Sequence, residues 1–155
     1  MQSYKLDAID RQIIMLLQAD ARLKTKEVAH QVGLTVTPTY ERIKRLEKEG
    51  FIAKYVALVD KQKVGKSLVA FCNVSLERHS KPLLKNFEAE INKVPEVIEC
   101  YHIAGNYDYL LKMVVSDMNS YQQFITNNLA AIENVATVQS SFVMTEVKND
   151  TSIPV

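Results

Sequence analysis

Tryptophan is absent from this chain, and glycine and proline number only four each in 155 residues. That scarcity rules out a collagen-like or low-complexity chain and leaves long stretches free for regular structure. Cys72 and Cys100 are too few and too far apart for a disulfide framework or a C-x-x-C motif, which suits a reducing cytoplasm. No apolar run approaches the ~18 residues of a membrane span. The opening MQSYKLDAIDRQ lacks the basic start and apolar core of an export signal. Neither sign of charge dominates, with 19 lysines and arginines against 18 acids. Residues 1–60 hold ten of those cations and eight of the acids, so the fold as a whole is no basic field. A nucleic-acid site must come from local placement of charge. A phosphate-cradling glycine loop is missing. His30 and His79 have no nucleophile at a catalytic spacing. Cys100 and His102 share one strand face but have no third donor for zinc. No enzyme, metal or cofactor is expected.

What the chain does have is two periodicities in succession, enough for two small domains with modest cores. The first part reads as helix. Asp7 is a cap, with Leu6 just outside, and Ile9, Ile13, Leu16 and Leu17 then share a face. Thr25 opens a shorter helix with Val28, Ala29 and Val32 inward, and Gly33 stops it. A third helix begins near Thr35 or Thr37, runs to Glu49 and ends at Gly50. FIAKYVALVD (51–60) is β-branched and aromatic and predicts a strand or small hairpin. Beyond it the pattern becomes strand 68–77, helix 81–94, strands 97–103 and 107–115, a helix capped by Asp117, and strand 135–147. That order, β-α-β-β-α-β, is the ferredoxin-like unit. The fold class is α+β: a winged helix-turn-helix over 1–62, then a ferredoxin-like domain over 63–155. The tail NDTSIPV is polar and expected to be loose.

Three short helices with a tight turn before the third make a helix-turn-helix, whose third helix enters the major groove N-terminus first. Ala29 is small where two helices approach, and Pro38 is tolerated because first-turn amides lack helical partners. At about 100° per residue, Val36, Tyr40, Ile43 and Leu46 cluster on the inward side. Thr37, Glu41, Arg45 and Lys48 fall opposite, flanked by Arg42 and Lys44. Arginine forks onto guanine, glutamate accepts from cytosine, threonine bonds bases or packs on a thymine methyl, and flanking cations neutralise phosphates. Arg42 and Arg45 are the foremost DNA candidates, with Lys54 as a wing contact. The plain alternative is a solvated charged face on a structural bundle.

Three stretches carry a resemblance: LDAIDRQIIMLLQADAR, EVAHQVGLTVTPTYERIKRLEKEGFIAKYVALVD and VPEVIECYHIAGNYDYLLKMVVSDMNSY. They resemble the Lrp/AsnC family of bacterial and archaeal transcription regulators, its leucine-responsive branch most of all, over Leu6 to Lys148. The resemblance implies a DNA-binding winged helix-turn-helix followed by an effector domain, often called RAM. It implies homodimers assembling to tetramers or octamers on double-stranded DNA, and a free amino acid as effector. The family's recognition segment maps onto Thr35 to Arg45, which adds Thr39 to the DNA set. Its effector loop maps onto His102, Ala104, Gly105, Asn106, Tyr107 and Asp108. Val36 stands where the leucine-responsive branch often has proline.

An amino-acid zwitterion needs donors for its carboxylate and an acceptor for its ammonium. The Gly105-Asn106 turn exposes amides and Asp108 supplies a carboxylate, with Thr137, Ser140 and Ser141 on the last strand as further contacts. The competing reading is ordinary hairpin chemistry at Gly-Asn and a strand-start aspartate. Strand 68–77 is apolar on both faces, which invites a second copy of the sheet. The functional expectation is a cytoplasmic, sequence-specific regulator of amino-acid metabolism genes that answers to an amino acid. The alternatives are an architectural DNA-bending protein with little effector control, or a small-molecule-binding ferredoxin-like domain whose helical half mediates protein contacts.

Overall fold

Asp7 starts the first helix by reciprocal capping: its carboxylate accepts the Asp10 N–H at 2.8 Å, and the Asp10 carboxylate accepts the Asp7 N–H at 3.2 Å. The computed structural model describes residues 4–155, in two compact units. One contains the chain up to Leu58 together with Lys148–Val155, and the other is Val59–Val147. The division therefore falls four residues earlier than the expected boundary, and the last residues cluster with the first unit.

In the first unit α1 (Ala8–Ala19), α2 (Thr25–Val32) and α3 (Val36–Lys48) close around Ile13, Ile14, Leu17, Val28, Ile43 and Leu46. Gly33 ends α2 at φ +72°, a left-handed conformation that a Cβ disfavours, and the Leu34 N–H returns to the Ala29 carbonyl at 3.0 Å. Ala29 is buried, as the close approach of the helices requires. Across Gly50 the Ile52 N–H donates to the Leu46 carbonyl at 3.1 Å, ending α3. Residues 53–60 form no strand or hairpin within the chain. A strand needs a partner, and among the described residues none pairs with it. The expected wing is thus an irregular arm with Tyr55, Val56, Leu58 and Val59 exposed. The tail is not loose either. Gln18 Nε2 donates to the Ile153 carbonyl at 2.9 Å, and the Ile153 N–H donates to Gln18 Oε1 at 2.7 Å. A side-chain amide pairs with a peptide as another peptide would, which the tail's polarity did not reveal.

The second unit is a four-stranded antiparallel sheet in the order β2-β3-β1-β4, with β1 Leu68–Leu76, β2 Val97–His102, β3 Tyr109–Val115 and β4 Val135–Phe142. Central β1 pairs Cys72 with Leu111 on one side and Ser140 on the other. Alternation turns Ala70, Cys72, Val74 and Leu76 of β1, and Tyr109, Leu111, Met113 and Val115 of β3, into the core. There they meet Phe87 and Ile91 of α4 (Lys81–Ile91) and Phe124 of α5 (Met118–Phe124). Asp117 caps α5 through the Ser120 N–H at 2.7 Å. After Phe124 the helix widens into a π-helical turn, Ile125–Leu129, before Leu129 and Ile132 complete the core. The sheet's other face carries Val69, Phe71, Leu110 and Val114 beside an ion pair, Lys112 to Glu99 at 3.0 Å.

Candidate functional site

The burial of α3 fixes which of its sides is available. Thr39, Ile43 and Leu46 are the buried positions, an arc centred about 40° away from the one the helical wheel predicts. Two of the expected contacts are engaged within the fold. Thr39 is fully buried and its Oγ1 donates to the Thr35 carbonyl at 2.9 Å, so it serves the helix and not a ligand. Arg42 turns toward α1: its Nη1 lies 2.6 Å from Asp7 Oδ2 and 2.7 Å from Asp10 Oδ1. Asp10 is fully buried and also accepts the Tyr4 hydroxyl at 2.5 Å. Burial would raise the Asp10 pKa, but Tyr4, Arg42 and the Asp7 N–H outweigh it and hold it below the ordinary aspartate value. Arg42 is pushed above its usual value by its bonds to Asp7 and Asp10. It is a bolt between α1 and α3, not a free cation. The missed signal was Asp10 itself, a carboxylate on the otherwise apolar side of α1 with Ile13, Ile14 and Leu17.

Arg45 lies at the border. Its Nη2 is 3.5 Å from Asp10, its guanidinium stands 4.4 Å over the Tyr4 ring, and its Nε is buried without a partner. The side chain remains 41% exposed. Thr37, Glu41, Lys44 and Lys48 share the solvent side, with Pro38 half-buried beside them. Thr35 occupies the N-cap position but makes no side-chain capping bond. Lys44 reaches Glu47 at 2.7 Å, and Tyr55 donates to the same carboxylate at 3.0 Å. Burial and that acidic neighbour push the Tyr55 hydroxyl up to about 12. Val36 and Tyr40, expected inward, are exposed on this side.

The second cluster sits at the β2–β3 turn. His102, Ala104, Gly105 and Asn106 are exposed and Tyr107 and Asp108 half-buried. Gly105 takes φ +147°, which an L side chain rarely adopts. Asp108 is more committed than its sequence position suggests. Its Oδ2 accepts the Leu76 N–H at 2.7 Å and its Oδ1 meets His79 Nε2 at 2.9 Å. Desolvation pushes the carboxyl up, but the Leu76 N–H and His79 prevail and lower it. The sequence offers His79 only as a histidine without a nucleophile at a catalytic spacing; it lies three residues beyond β1, and no periodicity points to it. The His102 ring stacks on Tyr109 at 4.8 Å, while Tyr107 bonds Gln139 of β4. The three β4 hydroxyls do not share a face. Ser140 pairs with Cys72 and its hydroxyl donates to Cys72 Sγ at 3.2 Å on the helix side. Thr137 and Ser141 pair with Ser75 and Phe71 on the other face. A strand's two-residue period puts adjacent residues on opposite sides, which separates Ser140 from Ser141.

Among the described residues no helix is long and apolar enough to cross a membrane. Residues 6–47 match the AsnC-type helix-turn-helix domain and residues 69–153 the Lrp/AsnC ligand binding domain. The Bkd operon transcriptional regulator of Pseudomonas aeruginosa is 39% identical over 92% of this chain and 94% of its own length. The leucine-responsive regulatory protein of Escherichia coli K12 is 38% identical over 92% of this chain and 87% of its own. The crystal structure of a transcriptional regulator in complex with L-Met, from Neisseria meningitidis, superposes with a TM-score of 0.93 at 37% identity, covering 97% of both chains.

Proposed function

Because this chain belongs to the Lrp/AsnC family, a DNA-binding transcriptional regulator with an effector-binding domain, we propose that α3 enters the major groove with the Thr37, Glu41, Lys44 and Lys48 side inward. The carrying observation is the burial of Thr39, Ile43 and Leu46, which leaves that opposite side of α3 to solvent. Thr35 and Pro38 approach the duplex at the helix start. Glu41 accepts from a base donor, and Lys44, Arg45 and Lys48 meet phosphates. Arg42 contributes indirectly, by holding α3 against α1.

The effector is an amino acid with an apolar side chain, as supported by the L-Met complex of the Neisseria relative. The exposed amides around Gly105 and Asn106 bind its carboxylate. His102, Ala104 and Tyr107 line the turn and Asp108 holds it, with Thr137 and Ser141 facing a neighbouring copy. The chain acts as a homodimer, the unit from which a tetramer or octamer is built. Its support is the arm 53–60, strand-forming in composition and without a strand partner among the described residues. The site of action is the cytoplasm, where the chromosome lies.

The test is a salt titration of duplex binding by the full chain. Log affinity should fall linearly with log salt, and Lys48→Ala should reduce that slope by about 1 while weakening all sequences alike. Binding that ignores salt would sink the reading. An architectural, effector-independent role predicts instead that none of the twenty amino acids alters DNA affinity.

A further inference from the structure

The solvent side of α3 has an apolar edge that charge and hydrogen bonding leave without a role. Val36, its first residue, is 47% exposed and Tyr40, one turn on, is 51% exposed. Both lie outside the core of their unit. About 40° separates them around the helix, and they border Thr37 and Lys44. Lys44 Nζ stands 5.8 Å from the Tyr40 ring, so the phenol is flanked by a cation and still open to solvent. The first turn and a half of α3 thus offers an isopropyl group and an aromatic ring where a groove-reading helix meets base edges.

Base edges in the major groove present donors, acceptors and one apolar group, the C5-methyl of thymine. Valine satisfies no donor or acceptor, and pressing it against the cytosine amino group or a guanine acceptor leaves that group unpaired. Against a thymine methyl the same contact removes apolar surface from water on both sides. We propose that Val36, with the Tyr40 ring closing beside it, is a specificity-determining residue that selects thymine at one or two adjoining base pairs. Thr37 and Glu41 read the polar edges next to it. This inference rests on α3 being the DNA-reading helix.

Uracil in place of thymine tests it, because the exchange keeps base pairing and the O4 acceptor and deletes only the methyl. The full chain is used to enrich a duplex from a random library, and each thymine in that duplex is then exchanged in turn. Wild type should lose about three- to fivefold in affinity at one or two positions, the factor expected for one buried methyl group. Val36→Ala should bind the thymine duplex more weakly and show little further loss with uracil at that position. Tyr40→Phe should behave as wild type, and Tyr40→Ala should discriminate less. An enriched duplex that tolerates uracil everywhere, or a Val36→Ala protein with the full thymine preference, overturns this assignment and leaves the DNA-binding reading standing. Failure to enrich any duplex overturns both.

Discussion

Asp10→Ala is expected to destabilise the DNA-binding unit by about 3–5 kcal/mol, the cost of removing one partner from a buried ion pair. The carboxylate is fully buried and faces Arg42 at 2.7 Å, Arg45 at 3.5 Å and the Tyr4 hydroxyl. Without it Arg45 keeps only the Tyr4 ring, Arg42 keeps only the more exposed Asp7, and α1 loses half its capping box. Urea unfolding followed by helical circular dichroism measures the loss. A change below about 1 kcal/mol would mean the cluster is solvated in solution and does not fix α3. The same cluster sets a pH dependence. Asp7 and Asp10 both titrate below the ordinary aspartate value. A depressed carboxylate contributes its full stability above the unfolded value of about 4 and loses it as pH falls through the lower folded value. The unit should therefore be insensitive to these groups near neutrality and weaken in acid, and Asp10→Ala should shrink that acid limb.

At the β2–β3 turn, Asp108→Ala should abolish the response of DNA binding to amino acids while DNA binding without effector survives. The variant strands the Leu76 N–H and releases His79, so the turn carrying Gly105 and Asn106 loses its side-chain tie to the end of β1 and keeps only the backbone bond from the Asp108 N–H to the Val74 carbonyl. Lost charge-assisted bonds of this kind cost about 1.5–3 kcal/mol, so some loss of stability in the second unit accompanies the functional change. Thermal-shift measurements against the twenty amino acids, on wild type and variant, read both effects. An unaltered ligand-induced shift in Asp108→Ala would refute the role.

Much of this was legible before any coordinates. The caps at Asp7 and Asp117, the left-handed stop at Gly33 and the β-α-β-β-α-β order are local properties, written in spacing and in residues with restricted or permissive backbones. They determine which elements form and where each begins. The resemblance to the Lrp/AsnC family rested on those same stretches.

Which side of each element faces what was decided only by the tertiary structure. In α3 both Val36-Tyr40-Ile43-Leu46 and Thr39-Ile43-Leu46 are acceptable inward arcs, and only the placement of α1 and α2 chose the second. Arg42 reads as a groove cation until Asp7 and Asp10, more than thirty residues earlier, arrive beside it. His79 and Asp108 meet only because β1 and β3 pair in register. The arm 53–60 has a strand's composition, yet a ladder needs a neighbour that composition does not supply. Helix and turn preferences act over a few residues and survive in the sequence, whereas ion pairs, burial and strand pairing depend on groups that only the folded chain brings together.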